Sequence, residues 1–294
     1  MLKTTEINIR DPFVLPMPSE QQYYLYGTIG TETWEGKASG IDYYTSQDLE
    51  NWEGPFAAFR PPAGFWADRN FWAPEVHAYL GRYYMFASFK AEGVSRGTQI
   101  LAADTPKGPF LPISEGPMTP RDWECLDGTL YVDAEKQPWM VFCHEWVQVG
   151  DGEVCAVRLS DDLSAAVGQP QLLFHASEAP WAQEIHPKGR SGYVTDGPFM
   201  HRLSNGELIM LWSSFSTGGY TVGIARTASG DITGPWEQDA EPLYAGDGGH
   251  CMVFRTFDGQ LLLAYHRPNE TPQERPFFVP LREEGSTLVI DQNA

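Results

Sequence analysis

The chain has 294 residues, 13% of them aromatic, with 29 glycines and 23 prolines, and its 39 acidic against 20 basic side chains leave a formal charge of −19. That charge repels phosphate backbones and anionic membranes, which argues against nucleic acid, membrane surfaces and strongly anionic polymers and favours a neutral ligand. No run approaches the ~18 apolar residues of a membrane span. The opening MLKTTEINIRDP lacks the apolar region of a secretory signal, so a cytoplasmic location is expected.

In chain order, a two-part phrase recurs: a polar or acidic tip leads into a short strand, then into an aromatic-rich strand ending in a small or polar residue. RDPFVLP and QQYYLYGT state it from Arg10, and WAPEVHAYLGRYYMFAS repeats it from Trp72. LDGTLYVDAEKQPWMVFCHE from Leu126, TDGPFMHRLSNGELIMLWSS from Thr195 and GGHCMVFRTFDGQLLLAYHR from Gly248 follow. Turn signals separate short apolar runs: TPKGP at Thr105, NGE at Asn205, SGDITGP at Ser229 and DGQ at Asp258. No window has the period of a long amphipathic helix. The aligned tips are Asp11, Glu75, Asp127, Asp196 and His250, separated by 64, 52, 69 and 54 residues. Repeats of about 40–50 residues with several strands each mark propeller blades. The expected fold is all-β, a single five-bladed β-propeller over residues 1–294, since no linker or composition shift marks a boundary. The innermost strands of a propeller surround a central channel. Five tips therefore meet at one mouth of it, and four of them are carboxylates.

Clustered carboxylates at a pocket suit glycoside hydrolysis, in which one acid donates to the leaving oxygen and another activates water or attacks carbon. A third carboxylate raises the pKa of its neighbour towards working pH. The tips lack the dense DxDxDG spacing of a calcium loop. Cys125, Cys143, Cys155 and Cys251 show no CxxC pairing and read as small core residues. Tryptophans beside polar residues, among them Trp34, Trp66, Trp146 and Trp181, offer faces on which a sugar can stack, whereas Trp139 and Trp212 lie inside strand patterns and read as core.

The phrases RDPFVLP, WAPEV, DGTLYVD, TDGPFMHR and GGHCMVF, in this order and spacing, resemble glycoside hydrolase family 43 from about residue 8 to about residue 280. The resemblance implies a five-bladed propeller and inverting hydrolysis, typically of α-L-arabinofuranosides or β-D-xylosides. By motif, Asp11 falls on the general base. Asp127 falls on the aspartate that orients the acid and raises its pKa. His250 falls on a histidine near a bound calcium ion or water. The family's acid is usually a glutamate in an EGPH-like motif, where this chain has TDGPF and therefore Asp196, one methylene shorter. Glu145 in VFCHEWVQ is a second candidate acid, because the repeat register sets it where other blades have Thr28, Ser88, Ser214 and His266. Glu178 and Glu184, in an insertion, are weaker candidates.

The resulting expectation is exo-type, inverting removal of α-L-arabinofuranosyl or β-D-xylosyl units from short neutral oligosaccharides. Asp11, Asp127, Asp196 and Glu145 are the candidate catalytic residues, and Trp34, Trp72, Glu75, Trp146, Trp181 and His250 the candidate sugar contacts. No cofactor is required, with a calcium ion near His250 in the central channel left open. The competing readings are a retaining propeller glycosidase of another family and a carbohydrate-binding propeller without catalysis.

Overall fold

The computed structural model describes residues 1–291 apart from 31–33 and 35. Among these residues the strands form five antiparallel sheets, each contiguous in sequence: residues 2–59, 69–112, 125–175, 196–238 and 249–290. The last four sheets have four strands in simple meander order, and the first has an extra outer strand, Leu2–Lys3, paired with Asn51–Phe59. This is an all-β five-bladed propeller. Second strands of the blades are covered on both faces by neighbouring blades, so they read as continuous apolar runs rather than alternations. Leu208–Ser216, with burial unbroken through its first seven residues, is one such strand. The core lies between blades, around Trp52, Phe86, Phe142 and Trp212. All four cysteines are buried and unpaired, as expected for small core residues.

Among the described residues no strand is exchanged between the first and last blades. The ring closes instead through side chains: Asn8 Nδ2 donates to the Pro272 carbonyl at 2.8 Å, and Arg10 Nη1 meets Glu274 Oε1 at 3.2 Å.

Each innermost strand breaks its pairing at the same level, between Arg10 and Phe13, Trp72 and Glu75, Leu126 and Thr129, Asp196 and Phe199, and Gly249 and Met252. At each break one residue turns to positive φ: Asp11 (54°), Ala73 (44°), Asp127 (56°), Gly197 (51°) and His250 (49°). A bulge of this kind re-aims a side chain, here at the channel mouth. For a residue with a Cβ the left-handed region costs roughly 1–2 kcal/mol. Glycine at 197 avoids that cost, and a Cβ there would stand 2.8 Å from the His250 ring. The register of the tips is thereby corrected. Blades one, three and five place Asp11, Asp127 and His250 as expected, but the equivalent residue is Ala73 in blade two and Gly197 in blade four.

Candidate active site

A cavity of about 640 Å³ opens at this mouth, with walls from all five blades. It gathers Asp11, Asp127, Asp196, Glu145, His250, Trp34, Trp72 and Trp146. Asp196, one residue before its bulge, still faces the cavity, at the level where the other blades carry Arg10, Trp72, Leu126 and Gly249.

Asp11 is buried and held on every side. Its Oδ2 accepts from Thr28 Oγ1 at 2.6 Å, and its Oδ1 lies 3.2 Å from His250 Nδ1 and 3.4 Å from Arg10 Nε. Its backbone N–H donates to His266 Nδ1 at 3.1 Å, so that ring nitrogen is the acceptor and Nε2 faces Asn269 Oδ1 at 3.3 Å. Burial, with Arg10 nearby, lowers His266 to about 3, and its imidazole is neutral at ordinary pH. Burial by itself would raise the Asp11 carboxyl, but His250 and Arg10 overcome it and bring its pKa down to about 2.

Across the cavity the balance reverses. Burial and the neighbouring Asp11 charge push Asp127 well above the usual carboxylate range, opposed by the Gly197 N–H that donates to its Oδ2 at 3.0 Å. Asp196 accepts from Tyr220 Oη at 3.0 Å, and burial together with Asp127 pushes its pKa up to about 7. One carboxylate is thus committed to negative charge while another holds a proton near neutrality, the division of labour an acid–base pair needs.

Glu145 follows the strand Pro138–His144 and opens the helical turn Trp146–Val149. Burial raises its pKa, but its Oε2 is in ion contact with Arg96 Nη1, and the guanidinium lies over the Trp72 ring, 4.1 Å from its centroid. A carboxylate neutralised by a fixed guanidinium is a poor proton donor. The pairing register also moves. The residues opposite Arg10, Trp72, Leu126, Asp196 and Gly249 are Thr28, Ser88, Cys143, Ser213 and His266. Cys143, two positions before Glu145, is therefore the true equivalent in blade three, and Ser213 rather than Ser214 in blade four.

Among the aromatic residues, Trp34 is 51% exposed, meets Trp72 edge-on at 5.2 Å and donates its Nε1–H to Thr271 Oγ1 at 2.9 Å. Arg10 lies against the same ring, 4.7 Å from its centroid. Two expected contacts lie elsewhere. Glu75 sits two residues past the bulge of blade two, outside the cavity lining, and its Oε2 is 2.9 Å from His77 Nε2. Trp181 is buried in the core between blades, 5.0 Å from the Trp212 ring, and fills the space that Gly223 leaves by having no side chain. Glu178 reaches back to the His175 N–H at 2.8 Å, and Glu184 is exposed.

The expected calcium position is also informative. His250 Nδ1 faces Asp11 Oδ1 at 3.2 Å and Asp127 Oδ2 at 3.7 Å, so those carboxylates are engaged with the imidazole. Among the described residues no three His, Cys, Asp or Glu side chains form a metal cage. Calcium takes six to eight oxygen ligands. The donor set does not fit a protein-built calcium site.

Arg10, Thr28, Arg96, Tyr220, His266 and Asn269 complete the surroundings. The first stood in plain view as the residue before Asp11. Tyr220 comes from a third strand, Gly219–Thr227, which the search for tips does not reach.

The sequence profile described as Glycosyl hydrolases family 43 matches residues 5–285. The chain belongs to that family. It is a glycosidase. A crystal structure of an endo-arabinase from Bacteroides thetaiotaomicron superposes with a TM-score of 0.90 at 44% identity, over 97% of this chain and 98% of that one. The extracellular exo-α-(1→5)-L-arabinofuranosidase ArbA of Cellvibrio japonicus is 22% identical over 89% of this chain and 79% of its own length. The extracellular endo-α-(1→5)-L-arabinanase 1 of Bacillus subtilis is 25% identical over 47% of this chain and 44% of its own. Both curated relatives are named extracellular, which overturns the cytoplasmic expectation drawn from the opening residues. No helix of the described residues is long and apolar enough to cross a membrane.

Proposed function

We propose that this family 43 glycosidase hydrolyses α-L-arabinofuranosyl linkages of neutral α-1,5-linked arabinan chains with inversion at the anomeric carbon. The observation that carries the reading is the opposed state of two buried carboxyls in one cavity, Asp11 near 2 and Asp196 near 7. Asp11 takes a proton from a water molecule as the water oxygen bonds to the anomeric carbon. The glycosidic C–O bond breaks, and Asp196 gives its proton to the departing oxygen. Burial first, with Asp127 beside it, keeps Asp196 protonated. His250, Arg10 and Thr28 fix the Asp11 carboxylate. Trp34, Trp72 and Trp146 offer apolar faces for the sugar rings.

Removal of units from chain ends is the proposed mode, supported by the likeness to the exo-α-(1→5)-L-arabinofuranosidase of Cellvibrio japonicus. A second reading, cleavage inside the chain, is favoured by the full-length likeness to the Bacteroides endo-arabinase. An extracellular station, as in the names of the curated relatives, suits a polymeric substrate. NMR of the first-formed anomer from an α-linked substrate tests the chemistry, since β-arabinofuranose is expected and α-arabinofuranose would point to a retaining enzyme. Product analysis on linear arabinan tests the mode, with arabinose as sole early product for chain-end removal and a ladder of oligosaccharides for internal cleavage. A nitrophenyl xyloside turned over faster than the arabinofuranoside would move the substrate to xylose.

A further inference from the structure

Hydrogen bonds between blades run around the channel mouth in a repeating pattern. At each bulge the backbone N–H points back towards the second strand of the preceding blade. Ala73 N donates to Thr28 Oγ1 at 2.8 Å, Asp127 N to Ser88 Oγ at 2.9 Å, His250 N to Ser213 Oγ at 2.8 Å, and Asp11 N to His266 Nδ1 at 3.1 Å. In register all four acceptors are the same position, opposite the residue that precedes the bulge. The junction between blades three and four breaks the pattern. Its register position is Cys143, and the Gly197 N–H donates to Asp127 Oδ2 at 3.0 Å instead.

The chemistry of the side chains accounts for the exception. Hydroxyl oxygen and imidazole nitrogen are good acceptors, whereas a thiol sulfur is a weak one. Cys143 is fully buried beside Asp127, Asp196 and Thr195. With no strong acceptor at 143, the Gly197 N–H turns to the carboxylate of the neighbouring bulge. We propose that Asp127 replaces the missing register acceptor for the bulge N–H at the junction of blades three and four, and that Cys143 is a positioning residue which, by accepting weakly, leaves the Gly197 N–H to Asp127. The inference deepens the catalytic reading and rests on it for the chemical half of Asp127's role. A structural duty and a chemical one then meet on a single side chain.

The test is a double-mutant cycle read first by thermal stability. Asp127→Ala strips the Gly197 N–H of its acceptor and should lower Tm. Adding Cys143→Ser supplies a hydroxyl at the register position used by the other blades. It should recover roughly 2–4 °C, the shift expected when one buried donor regains a partner in a domain of this size. Adding Cys143→Ala to Asp127→Ala supplies no acceptor and should recover nothing. If Asp127→Ala does not fold by itself, the readout is whether Asp127→Ala/Cys143→Ser does. Equal recovery with serine and alanine, or none with serine, overturns the proposal. Activity separates this inference from the reading beneath it. The serine double variant should regain stability and remain inactive, whereas one that regained turnover would leave the junction role intact and remove Asp127 from the chemistry. In the otherwise unchanged enzyme, Cys143→Ser should compete for the Gly197 N–H and lower kcat about tenfold with KM nearly constant. A KM change without a kcat change would contradict the positioning role.

Discussion

Asp11 and Asp196 are the same residue type, both buried, in the same cavity, yet one is held near 2 and the other near 7. Burial pushes both upward. The difference is in the neighbours: His250 and Arg10 crowd Asp11 closely enough to overcome its burial, whereas at Asp196 the opposing influences of His250, the Tyr220 hydrogen bond and Arg10 do not overcome burial and Asp127. Over the few ångströms of a desolvated mouth, one cation or anion in contact is worth one to three pKa units. Identity of side chain therefore says little about protonation here, and the balance between burial and neighbouring groups decides it.

The largest test of this contrast removes the ionised member. Asp11→Asn keeps the shape and the Thr28 contact but cannot take a proton from water. kcat should fall by at least ~10²–10⁴ on every substrate with KM little changed. More than about a tenth of the activity remaining, measured by initial rates on arabinan, would take Asp11 out of the reaction. Next in size is the protonated member. Asp196→Ala should cost about 10²–10⁴ on an oligosaccharide, whose departing oxygen needs a proton, and far less on a dinitrophenyl arabinofuranoside, whose phenol leaves unaided. Glu145→Ala should weaken both substrates alike, since its carboxylate is tied to Arg96. The opposite pattern in the two variants would move proton donation to the end of blade three.

How far this contrast could be read from the sequence depended on what each part of the pattern reports. Acidic tips mark Asp11 and Asp127 because the acid and the bulge coincide there. In blade four the bulge falls on Gly197 and the acid precedes it, and in blade two it falls on Ala73, so alignment by charge displaced Glu75 by two residues and out of the cavity. Backbone conformation, not charge, is what repeats, and a positive φ leaves a sequence signal only when glycine occupies it. Trp181 had the polar flanks expected of a sugar platform, but burial against Trp212 is settled by a contact between distant strands. Tyr220 and Arg96 were missed for a related reason: each reaches the site from the third strand of its blade, away from the tips and strand ends that the repeat marks.

Removing the cation sharpens the comparison with a smaller effect. Arg10→Leu withdraws a charge 3.4 Å from Asp11 Oδ1, so the base should ionise at higher pH. Ionised Asp11 is the active form and activity is lost as pH falls through its pKa. The acid limb of kcat/KM should therefore move upward by about 1–3 units, and Arg10→Lys should restore much of it. An unmoved acid limb in the leucine variant would mean that His250 and the Thr28 hydrogen bond set the state of Asp11 without Arg10.

The smallest expected effect lies on the other side. The Tyr220 hydroxyl donates to Asp196 Oδ2 and favours the ionised carboxylate. Tyr220→Phe removes that bond and nothing else of the ring, so Asp196 should hold its proton to higher pH. The acid must be protonated to act, and activity is lost as pH rises through its pKa. The alkaline limb, expected near pH 7 in the unaltered enzyme, should consequently move up, not down. One hydrogen bond is worth ~1 kcal/mol and one pKa unit 1.36 kcal/mol, which sets the shift at under about one unit. The same substitution in an Asp196→Ala background should leave the profile where it was. A downward shift in the single variant, or an equal shift in both backgrounds, would show that the alkaline limb belongs to a group other than Asp196.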